Sequence, residues 1–133
     1  MTNRTITITA VVDTVGALAT EALSGNFYLL DTNRSQGSTG LGTEHLKTMV
    51  VPGDRLVWTT LALECEAYVA IDEIHIDPEF CEPKKEFHPS SDISYWVATV
   101  KKISVALPYQ ISFRLGTRLM PMTTDATPAL IRG

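Results

Sequence analysis

The sequence predicts an all-β protein: an antiparallel β-sandwich or small barrel of seven to eight strands, with at most one short helix. Three observations carry that expectation. Short stretches alternate apolar and polar residues with a period of two, most clearly Tyr109, Ile111, Phe113 and Leu115 against Gln110, Ser112 and Arg114. Turn signals follow one another closely, with Pro52-Gly53-Asp54 the strongest. Only Val15–Leu23 approaches helical length, so nothing supplies the crossover helices of an α/β sheet.

The elements read in order as follows. Thr5–Val12 sets Thr5, Thr7 and Thr9 against Ile6, Ile8, Ala10 and Val12, a strand with one wet face. Val15–Leu23 makes about two helical turns with Leu18 and Ala22 on one face; Gly16 weakens it and Gly25-Asn26 ends it. Phe27–Leu30 is a short apolar strand. Gly37, Gly40 and Gly42 form a loop able to take positive φ. The strands on either side of Pro52-Gly53-Asp54, through Val50 and through Leu56 to Leu61, read as a buried hairpin. In Tyr68–Ile76, Val69 and Ile71 differ in parity from Ile74 and Ile76, which a β-bulge near Asp72-Glu73 would reconcile. Asp77–Asp92 reads as one long charged loop with three prolines. Ser94–Ile103 and Tyr109–Leu115 are strands, and Ala129–Ile131 is a last edge strand.

At 133 residues the chain fits one domain, 1–133. A formal charge of −4 and only two basic pairs, Lys84-Lys85 and Lys101-Lys102, speak against nucleic acid and against an anionic membrane. The polar start and the lack of a long apolar run predict a cytoplasmic protein. Cys65 and Cys81 are expected to be reduced, and the sequons at Asn3 and Asn33 are expected to be chance matches.

Motifs for chemistry are sparse. The glycine loop leads into a strand and carries no Gly-Lys-Ser/Thr, so it is not a phosphate loop. Val51–Trp58 has the look of a cupredoxin turn and strand, but six residues separate Cys81 from His88 and no Met follows until Met120. No metal and no cofactor is therefore expected. Asp72, Glu73, His75, Asp77, Glu79, Cys81 and His88 form a cluster in which Glu73, His75 and Asp77 share a face on an extended strand; it could serve as an oxygen-and-imidazole metal site or an acid–base set, and more simply is a polar outer face running into a charged loop. The aromatic residues Tyr28, Trp58, Tyr68, Tyr95 and Trp96 are candidates to stack a sugar ring or a small apolar molecule, with Glu73 and His75 beside them.

The order of these features resembles the AidA/PixA family of bacterial inclusion-body proteins. The resemblance is carried by Ile8–Thr14, ending Val12-Asp13-Thr14; by Tyr28-Leu29-Leu30-Asp31; by Lys47–Trp58; and by the strand with Tyr109, Ile111 and Phe113. It implies a binding or assembly protein and transfers no catalytic site. The expected function is thus a non-catalytic protein that self-associates and binds a carbohydrate or small apolar ligand. The alternative is a small β-barrel cyclase or isomerase that holds its substrate inside and works by acid–base chemistry. The expected partner is a second copy, as a dimer, with Leu119–Ile131 in the interface, because Phe27–Leu30 and Ala129–Ile131 lack guarding charges.

Overall fold

The computed structural model describes residues 4–33, 37–64, 67–91, 93–103, 106–124 and 128–133. Cys65 and parts of both sequons lie outside them. Strand β1 (Thr5–Val12) buries Ile6, Ile8, Ala10 and Val12 and turns its threonines outward, as the alternation requires. It pairs antiparallel with β2 (Phe27–Asp31) and parallel with β4 (Arg55–Ala62). β7 (Ser94–Thr99) and β6 (Lys84–Phe87) complete a five-stranded sheet in the order β2-β1-β4-β7-β6. Two smaller sheets complete the strand set. One orders β10 (Met122–Thr123), β9 (Gln110–Leu115) and β5 (Val69–His75); the other orders β3 (Lys47–Val50), β11 (Ala129–Arg132) and β8 (Ala106–Pro108).

The core lies between the large sheet and the small ones. Phe27 meets Phe113 at 6.2 Å between ring centroids, and Trp58 meets Tyr109 edge-on at 5.8 Å. Trp58 Nε1 donates to the Tyr109 hydroxyl at 3.4 Å. Burial pushes the Tyr109 phenol well above its ordinary value, so it stays protonated. Ile111, Phe113 and Leu115 are all fully buried.

The all-β class stands, with eleven strands among the described residues. Several local expectations need correction. β3 and β4 do not form a hairpin: β3 pairs parallel with β11, and Pro52-Gly53-Asp54 is a corner that carries the chain from one sheet to another. The turn itself is real, with Gly53 at φ +96° and the Asp54 amide donating to the Val51 carbonyl at 3.1 Å. β11 is the middle strand of its sheet, not an edge, and Ala129 and Leu130 are buried. The long loop contains β6, whose four residues are all exposed and therefore show no alternation. Helix α1 spans Thr14–Thr20 and buries Thr14 and Ala17, while Leu18 faces out. Asp13 caps its start and Glu21, in the left-handed region, ends it early.

Candidate functional site

Near the end of β4 and the start of β5 a groove of about 600 Å³ opens at the surface. Thr59, Thr60, Tyr68, His88, Ile93 and Tyr95 line it. Their convergence follows from pairing. β4 and β7 are in register at Trp58 and Trp96, which brings Thr59 and Thr60 beside Tyr95 and Ser94. β6 and β7 form a hairpin in which Phe87 faces Ser94 and the His88 amide donates to the Ile93 carbonyl at 2.9 Å. The hairpin loop includes Ser90 at φ +60°. This places the His88 ring 4.7 Å from the Tyr95 ring. Thr60 Oγ1 donates to the Val69 carbonyl at 3.2 Å and ties β4 to β5 under the groove.

The lining combines flat rings with hydroxyl groups, the mixture that stacks one face of a ligand and hydrogen-bonds its edge. Of the residues singled out in the sequence, Tyr68 and Tyr95 meet here. Tyr28 does not: it stands on β2 beside a shallower groove of about 310 Å³ with Thr43, Glu44 and His45. Trp58 is 1% exposed and packed on Tyr109, and so reaches neither groove. Trp96 is half-buried and donates through Nε1 to the Ile71 carbonyl at 3.2 Å, a structural bond between β7 and β5. Thr59, Thr60 and Ile93 were not read as site residues, and His88 was weighed only as a metal or acid–base group, because the β6–β7 hairpin that brings His88 and Ile93 to β4 was hidden in the supposed loop.

Glu73 and His75 lie on the outer face of β5, away from the groove. The expected bulge is present between Ile71 and Glu73, and it turns both Ile71 and Ile74 inward. His75 Nε2 stands 2.7 Å from Ser112 Oγ, and His75 Nδ1 stands 3.9 Å from Glu73 Oε2. The residue types are those of a serine nucleophile, a base and an orienting carboxylate. The geometry is not. The histidine–glutamate distance is too long for a hydrogen bond. Ser112 is 4% exposed and its hydroxyl is shared with Thr123 Oγ1 at 2.7 Å, so a substrate has no route to it. This is a cross-strand polar row. Among the described residues, no group of three His, Cys, Asp or Glu side chains is placed to hold a metal ion.

A second polar cluster lies at the other end of β1. Arg4 donates to the Asp54 carboxylate at 2.7 and 3.3 Å and to Asn33 Oδ1 at 3.2 Å. Asn33 Nδ2 donates to the Met49 carbonyl at 2.6 Å, and Thr48 Oγ1 to Asp31 Oδ2 at 2.8 Å. Each of these groups has a partner within the chain, which marks a network that fixes strand ends.

The family profile described as "Domain of unknown function (DUF8788)" matches residues 4–120. The chain belongs to that family. No curated protein matches it. This DUF8788 chain is similar in structure to an inclusion body protein (PixA) from Burkholderia cenocepacia J2315. The crystal structure of that protein matches with a TM-score of 0.71 and 11% identity, over 100% of this chain and 98% of the other. At that identity the likeness is one of fold. It shows a shared all-β fold over the whole length and bears out the resemblance to PixA at that level. No helix among the described DUF8788 residues is long and apolar enough to cross a membrane.

Proposed function

We propose that this DUF8788 protein is a non-catalytic, cytoplasmic binding and assembly protein, a single domain that self-associates and takes a carbohydrate or small apolar ligand between Tyr68 and Tyr95. The observation that carries the ligand reading is the groove, which Tyr68, Tyr95, His88 and Thr59 line together. The solved PixA relative is described as an inclusion body protein, which agrees with assembly as the other half of the reading. The burial of Trp58, Tyr109 and Ser112 weighs against the enzyme alternative, since each lies in the packed interior or beneath other side chains.

The test is a glycan array paired with a panel of small aromatic and aliphatic compounds, followed by titration of the strongest hit. Tyr68→Ala and Tyr95→Ala are each expected to weaken that hit by roughly tenfold, since a lost ring contact costs about 0.5–1.5 kcal/mol beyond its buried area. Saturable binding that neither substitution changes would place the ligand elsewhere.

A further inference from the structure

The exposed apolar surface of this molecule is gathered at one end. Eleven large apolar side chains are exposed among the described residues, and nine of them lie at the pole where β1, β4, β6 and β9 finish. Of the other two, both on β2, Tyr28 is level with Val11 and Leu61 at the margin of this pole, and Leu30 stands two residues farther from it. The registers define this pole. Val12 is level with Ala62, Val69 with Leu115, and Phe87 with Ser94. The Leu63 amide donates to the Val12 carbonyl and the Gly116 amide to the Tyr68 carbonyl, at 2.8 and 2.9 Å. Arg118 reaches Glu21 at 3.5 Å, which joins the Gly116–Met120 segment to α1. The most exposed side chains of the set are Leu119 at 87%, Met120 at 69% and Ile93 at 63%.

The opposite pole is built differently. There the ion pairs Arg4–Asp54, Lys101–Glu82 and Lys102–Glu79 stand, each at 2.7 Å.

We infer that the apolar pole is the face through which a second copy of this chain docks. The inference rests on the self-association reading above and adds the surface, so that the Tyr68–Tyr95 groove opens into the interface between the two copies. At roughly 100 Å² of exposed area per side chain, nine give on the order of 900 Å²; a stable interface buries about 800 Å² per partner, and an ordinary monomer's largest patch is about 300–600 Å². The apolar area gathered at the pole is thus comparable with what a dimer interface buries per partner. A lipid surface is the weaker occupant. The charged side chains described at the pole include Asp13, Glu21, Glu64 and Glu86 beside Arg118 and Lys85, whose ammonium lies over the Phe87 ring at 5.3 Å, and an anionic membrane calls for a surplus of Lys and Arg. The face replaces the sequence expectation of an interface running to Ile131: Leu119 and Met120 belong to it, whereas β11 is inside the fold.

The experiment is sedimentation velocity on the full chain over a concentration series, with Leu63→Asp/Ile93→Asp at the pole and Leu30→Asp on β2 as the control. The wild type and the control are expected to dimerise. The pole variant is expected to raise the dissociation constant at least about tenfold, the effect of losing contacts central to an interface, with unchanged circular dichroism. A wild type that stays monomeric at high micromolar concentration overturns the self-association reading and this inference together. A wild-type dimer that survives the pole substitutions, or that Leu30→Asp alone disrupts, leaves the reading standing and overturns the face. If the pole variant misfolds, hydrogen exchange on the wild type decides. Concentration-dependent protection around Leu63, Ile93 and Leu119 supports the face, and protection confined to other segments overturns it. Binding of monomers to phosphatidylcholine vesicles, without dimerisation, also overturns it.

Discussion

Asp54 shows how one side chain can fix a corner. It is 1% exposed, and its carboxylate accepts from Arg4 and from the Val51 amide, the latter at 2.9 Å. Burial by itself pushes this carboxyl up, but the bonds from Arg4 and Val51 outweigh burial and hold it below its ordinary value. A lowered folded pKa gives stability that is fully present above the unfolded value of about 3.9 and is lost as pH falls through the folded one. Arg4→Ala is therefore expected to cost about 2 kcal/mol in urea unfolding at neutral pH and to flatten the loss of stability below about pH 4. An unchanged acid limb would contradict the pairing. Cys81 is the opposite case. Burial pushes its thiol up to about 11, slightly offset by Lys101. Since the thiolate is the reactive form, iodoacetamide at about pH 8 is expected to label Cys81 far more slowly in the native protein than in the unfolded chain. Equal rates by peptide mapping would show that the thiol is accessible.

At the scale of elements, alternation was the legible signal. β1 and β9 show it because each has one buried face, and the bulge in β5 was readable because Ile71 and Ile74 break parity. Pairing partners were not legible. The parallel contacts of β1 with β4 and of β3 with β11 join segments far apart in sequence, and no local pattern announces them. β6 was hidden for another reason: an exposed strand has no apolar face to display. The candidate site was legible only as two separate tyrosines, since its convergence depends on that hairpin. The corner at Gly53 tests the backbone reading. At φ +96° a β-branched side chain is strained, so Gly53→Val is expected to cost more than about 1 kcal/mol and Gly53→Ala less than that variant. Two variants as stable as the wild type in chemical denaturation would mean that the corner is not held in that conformation.

The whole molecule has two unlike ends. One is tied by ion pairs around Asp54, Lys101 and Lys102; the other presents the groove of Tyr68 and Tyr95 within an apolar face. The same strand registers produce both, because parallel β1 and β4 deliver their starts to one pole and their ends to the other. Small-angle X-ray scattering of the full chain across a concentration series, from low to high micromolar, tests self-association most directly. The account predicts that forward scattering per unit mass rises toward twice the monomer value and that the maximum dimension lengthens, as when two sandwiches meet end to end. A constant monomer value throughout, or a doubling without lengthening, would contradict it.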